Sequence, residues 1–229
     1  MGARPLRDFG PEPGGNVLRS RTAERWSVIA ERTVYFGHQS VGSSVIAAVE
    51  ELRAEYALPF RVVQTRDPAT VDGPAFVHFP AGENRDYASK NAAMLRLLES
   101  QTRALRPVVV LEYCHLDIDS LADSATMFEA YRDTVDTIQF EHPDVTVVHA
   151  TVPLPTVETV FRWRAKQFLG RQTRRQSAVA CHHYNQLLCT EFSATEPIFD
   201  LAKVQATLSE RAAAEVLLNV LSGVIEANR

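Results

Sequence analysis

The run Val108-Val109-Val110-Leu111-Glu112-Tyr113 restricts the fold more than any other segment of this chain. A strand with one face in water alternates apolar and polar residues, whereas a run apolar on both sides needs cover on both faces. It therefore predicts a central strand of a parallel sheet with helices on either side. The flanking segments supply the parts. Thr33-Val34-Tyr35-Phe36, Phe60–Gln64, Val145–His149 and Ile198-Phe199 read as four further strands. Between them, apolar residues recur at helical spacing: Val45, Val49, Leu52 and Tyr56; Ala93, Met94, Leu97 and Leu98; Phe128, Tyr131, Val135 and Ile138. Asp123 or Ser124 is placed to cap the last of these helices. Further helices are expected near Thr22–Glu31, over 157–169 and 176–192, and through Ala213, Val216, Leu217, Val220, Leu221 and Val224. The expected fold is α/β: a three-layer α/β/α sandwich around a mostly parallel sheet of about five strands.

Two hundred and twenty-nine residues suit one domain. Residues 1–20, rich in Gly, Pro and Arg, read as an arm, and 21–229 as a single unit. The charge balance of 24 basic against 28 acidic residues gives −4 and argues against nucleic acid. Arg162, Arg164, Lys166, Arg171, Arg174 and Arg175 form one basic stretch, read as a solvated face or as a site for an anionic ligand. Cys114, Cys181 and Cys189 do not make a disulfide framework. The opening Met-Gly-Ala-Arg-Pro has no apolar signal core, and no segment approaches a membrane span, so the expected compartment is the cytoplasm.

In such sheets ligands bind at the carboxyl ends of the strands. That points to His38–Ser40, Gly82–Asn84, Cys114–Asp117, His149–Thr151 and Asp200. In Phe36-Gly37-His38-Gln39-Ser40-Val41-Gly42, a strand ends at a glycine and Ser40 begins a helix. A serine there is either a nucleophile beside helix N–H groups or simply a cap.

These residues resemble the SGNH (GDSL-type) hydrolase superfamily, in a bacterial branch whose opening block reads Phe-Gly-His-Gln-Ser-Val-Gly. Gly82-x-Asn84 with Lys90, Glu112-Tyr113-Cys114-His115-Leu116-Asp117-Ile118, Thr151-Val152-Pro153-Leu154, Tyr184-Asn185 and Phe199-Asp200-Leu201-Ala202 resemble its later blocks, in order, over roughly residues 32–205. The resemblance implies a flavodoxin-like sheet and an ester or acyl substrate. It makes Ser40 the nucleophile, the Ser40 N–H with Gly82 and Asn84 the oxyanion hole, and Asp200 a member of the triad. Gly37, Gln39, Lys90 and Cys114 would line the same substrate site.

The chain departs from that pattern at the base. The resemblance implies a histidine soon after Asp200, yet no histidine follows His183. Without a base a serine is a weak nucleophile. His115 with Asp117 as its orienter, His38, and His78 are the candidate replacements. His38, His115 and Asp117 also stand as a set of metal ligands, without a close-spaced motif to support them, and no cofactor or metal is expected. His182-His183 reads as a helix-surface pair. Three functions follow: a serine hydrolase or acyltransferase with a rearranged base, a biosynthetic enzyme of altered chemistry, or a binding protein without turnover. The expected partner is a small acyl-bearing molecule, and a homodimer stays open.

Overall fold

A computed structural model describes residues 13–100, 106–155, 174–207 and 209–229. The elements in chain order are α1 (Pro13–Ser27), a 3-10 turn (Val28–Glu31), β1 (Val34–His38), α2 (Ser40–Glu55), β2 (Val62–Gln64), β3 (Phe76–Pro80) and α3 (Tyr87–Ser100). They continue as β4 (Val108–Leu111), α4 (Leu121–Glu141), β5 (Thr146–Ala150), α5 (Arg174–Phe192), β6 (Ile198–Phe199), α6 (Leu201–Thr207) and α7 (Glu210–Ala227). All six strands are parallel, in the order β2-β3-β1-β4-β5-β6.

Each central strand sends alternate residues into two separate cores, which makes the three layers. Val34, Phe36, Val108, Val110 and Val148 pack under α2 and α7 on one face. Tyr35, Val77, Val109, Leu111 and Val147 pack under α3, α4 and α5 on the other. The expectation for the run Val108–Tyr113 is met over Val108–Leu111, all four buried, while Glu112 and Tyr113 are buried beyond the strand's end.

The sheet has six strands where five were expected. The additional one, Phe76–Pro80, lies between β2 and β1 and is almost wholly buried. Pro80 reads as a breaker, but it stands at the strand's last position, where its missing N–H costs no ladder bond. The helix over 121–141 is capped neither by Asp123 nor by Ser124. Ser120 is the N-cap, accepting from the Asp123 N–H at 3.2 Å, and the Asp123 carboxylate reaches back to the Ser120 N–H at 2.9 Å. Helix α6 is an additional element that the sequence pattern does not predict. The helix expected over 157–169 lies outside the described residues, as do Arg162, Arg164, Lys166 and Arg171 of the basic stretch; Arg174 and Arg175 begin α5. All three cysteines are free thiols. No helix among the described residues is long and apolar enough to cross a membrane.

Strand β1 pairs with β3 on one side and β4 on the other. The helix after β1 covers one face of the sheet, and those after β3 and β4 cover the other. A crevice therefore opens at the carboxyl end of β1, where Gln39 and Ser40 follow.

Candidate functional site

The turn after β1 is built by close approach. A Cβ on Gly37 would stand 2.9 Å from Ala81 Cβ and 3.2 Å from Leu111 Cδ1, so only glycine lets the three strands meet there. Gln39 is the extended N-cap of α2, without a side-chain capping bond, and Ser40 is the first helical residue. Ser40 thus starts the helix as expected but does not cap it. Gln39 binds the next loop instead, its Nε2 donating to Ala81 O at 2.7 Å and Gly82 O at 3.4 Å.

Beneath this turn lies Glu112, which no motif in the sequence marks as a site residue. Its Oε2 accepts the backbone N–H groups of Gln39 at 2.8 Å and Gly42 at 3.0 Å. Its Oε1 is buried without a hydrogen-bond partner. Burial pushes its carboxyl up to about 7, and the two N–H bonds and Lys90 only partly oppose that shift. The signal for it was present: an ionisable residue continuing the apolar run Val108–Leu111.

The loop after β3 turns at Gly82, which has φ +58°; a Cβ there would meet Lys90 N at 2.6 Å. Asp117 holds this loop in place. It accepts from Arg85 N at 2.7 Å and Cys114 N at 2.8 Å, and it pairs with Lys90 inside the protein, both side chains fully buried. Asp117 and Lys90 therefore form a buried ion pair that braces this loop. Asn84 is exposed and makes no side-chain hydrogen bond among the described residues.

The candidate bases are directed elsewhere. His38 Nδ1 lies 2.9 Å from Gln39 O and 3.3 Å from Ser43 Oγ. A carbonyl oxygen only accepts, so Nδ1 carries the proton. His38 Nε2 then accepts from His78 Nδ1 at 3.0 Å. Burial lowers both rings, His78 to about 4 with a further push from His38, so the pair is neutral near pH 7. The ordinary histidine value is 6.5, so the unfolded chain takes up protons first as the pH falls. Stability contributed by His78 is complete above 6.5 and is lost from there down towards 4. We expect His78→Asn to flatten the acid limb of a thermal-melt pH profile; an unchanged limb would show that the pair does not titrate on unfolding.

His115 is half-buried, with Nδ1 3.9 Å from Cys114 Sγ, and its carbonyl accepts from Ser177 Oγ on α5 at 3.4 Å. Cys114 is a buried thiol raised above its usual value by desolvation. Asp200 is the N-cap of α6: its Oδ1 accepts from Lys203 N at 3.2 Å and Thr151 Oγ1 at 3.1 Å. His149 is enclosed between Tyr131 Oη at 2.7 Å and Glu196 Oε2 at 2.9 Å, stacked on Phe192. His183 accepts or donates at Ser124 Oγ, 2.8 Å away, while His182 is exposed. None of the described residues hydrogen-bonds to the Ser40 hydroxyl. No group of three His, Cys, Asp or Glu side chains among them is placed to hold a metal.

Ser40 lines a cavity of about 460 Å³ with Val41, Ser44, Val45, Leu154 and the α6–α7 residues Gln205, Ser209, Glu210 and Ala213. Gly82 opens on a second cavity of about 350 Å³, with Arg66, Phe79 and Arg96. Ser40 and Gly82, expected to share one oxyanion hole, thus line different cavities, and Asn84 lines neither of them. What the Ser40 cavity offers among the described residues is serine hydroxyls at the start of α2 and α7 and one carboxylate, Glu210, and none of these residues hydrogen-bonds to the Ser40 hydroxyl. Comparison with family models, with curated proteins and with solved structures finds no match for this chain.

Proposed function

We propose that this chain is an SGNH-hydrolase-like protein that binds an ester- or acyl-bearing small molecule in the Ser40 cavity without fast turnover. One observation carries the reading: Ser40 stands at the helix start on a cavity of ligand size, and no side chain among the described residues hydrogen-bonds to its hydroxyl to take its proton. All seven histidines fall among the described residues, and none of them hydrogen-bonds to Ser40. A serine without a base keeps only what binding and N–H groups supply, a small part of triad catalysis. Three free thiols are in keeping with a reducing, cytoplasmic setting.

Titration with triacetin, a neutral ester, followed by amide NMR, tests the binding. Shifts are expected at Ser40, Val41, Ser44 and Ala213, and their loss in Ser40→Trp, which fills the cavity. Shifts confined to other residues, or none at millimolar ester, would overturn the proposal. A hydrolase working through Ser40 is the second reading, favoured by the unengaged hydroxyl and the two N–H groups beside it.

A further inference from the structure

The charges around the Ser40 cavity restrict what can enter it. Two helices begin on its wall: α2 with Ser40 and Val41, and α7 with Ser209 as N-cap and Glu210 as first residue. A helix start ordinarily attracts anions. Here each start already has a carboxylate of its own. Glu112 takes the N–H groups of the N-cap Gln39 and of Gly42 in the first turn of α2, and Glu210 sits in the first turn of α7. The N–H of Ala212, in the same turn of α7, is turned to the Ser209 hydroxyl. An anionic ligand would meet helix ends that are already partly compensated.

Among the described residues lining the cavity there is no lysine, arginine or histidine, and the only charged side chain is Glu210. Glu210 is exposed and has no ion pair among the described residues. The adjacent Arg211 is turned away, to Glu55 at 2.7 Å and Glu215 at 3.2 Å. The other polar groups are three serine hydroxyls, which donate or accept, and the Gln205 amide. Val41, Val45, Leu154 and Ala213 provide the apolar wall.

We infer that the Ser40 cavity selects a ligand carrying an ammonium group, recognised by the Glu210 carboxylate and seated against Val41, Val45 and Leu154. The inference rests on the binding reading above and names the chemistry of the ligand. A carboxylate at a partly solvated wall gives a modest but measurable preference for a cation.

The test uses three probes of nearly the same shape: choline, 3,3-dimethylbutan-1-ol and 3,3-dimethylbutanoate. Their affinities are read from the amides of Ser40, Ser44 and Ala213 in the full chain. Choline is expected to bind about threefold to fivefold more tightly than the neutral alcohol, a difference of about 0.6–1 kcal/mol, and the anion most weakly. In Glu210→Gln the choline and alcohol affinities should come together, while Glu215→Gln, off the cavity wall, should keep the preference. Equal binding of choline and alcohol to the unaltered protein, tightest binding of the anion, or a preference that survives Glu210→Gln would overturn the inference and leave the binding reading standing. Absence of all three probes from these amides would overturn both.

Discussion

Replacing Lys90 by methionine is expected to cost about 3–5 kcal/mol of stability, the usual result of leaving one member of a buried ion pair without its partner. Lys90 and Asp117 are both fully inaccessible. Without the ammonium, the Asp117 carboxylate keeps only the N–H groups of Arg85 and Cys114. The loss should spread to the site, because the Arg85 bond holds the loop that turns at Gly82. Urea unfolding at pH 7 measures it, and the double variant Lys90→Met/Asp117→Asn should recover part of the loss by removing the stranded charge. A cost below about 1 kcal/mol, the range of exposed pairs, would contradict a dry, paired environment for these two groups.

The second large effect concerns pH and Glu112. Its carboxyl rises from an ordinary value of 4.5 to about 7 in the folded chain, chiefly through burial. The unfolded chain therefore loses its proton first as the pH increases. The stability associated with protonated Glu112 is complete below 4.5, declines between 4.5 and 7, and is gone above 7. At about 1.4 kcal/mol per pH unit, that interval amounts to about 3 kcal/mol. Glu112→Gln keeps the shape and an oxygen for the Gln39 and Gly42 N–H groups but cannot ionise. It should match the unaltered protein at pH 4 and exceed it by up to about 3 kcal/mol at pH 8. Parallel unfolding profiles across that range would mean that Glu112 ionises as readily in the folded chain as in the unfolded one.

Much of the architecture was legible because local pattern and burial agree. Val108–Leu111 is apolar on both sides and is covered on both sides. Phe128, Tyr131, Val135 and Ile138 fall on the buried face of α4 as their spacing requires. Phe76–Pro80 was missed because it is short and bounded by prolines, so tertiary pairing, not local preference, makes it a strand. The cap of α4 was misplaced by a few residues, since Ser120, Asp123 and Ser124 are all plausible caps and only the backbone geometry chooses among them.

The site was less legible, for a different reason. Short motifs place Ser40, Gly82 and Asp200 at strand ends, but side-chain direction depends on residues far away in the chain. His38 is taken up by His78, forty residues on. Asp200 is taken up by a helix start and Thr151. Glu210 reaches the cavity only because α7 packs beside α2. None of these pairings follows from spacing.

The central claim is that Ser40 binds without an effective base, and covalent labelling by a fluorophosphonate tests it most directly. At neutral pH the unaltered protein should be labelled no faster than Ser40→Ala, and the two should hydrolyse p-nitrophenyl acetate at the same rate. Rapid labelling at Ser40, together with ester hydrolysis that disappears in Ser40→Ala, would contradict it.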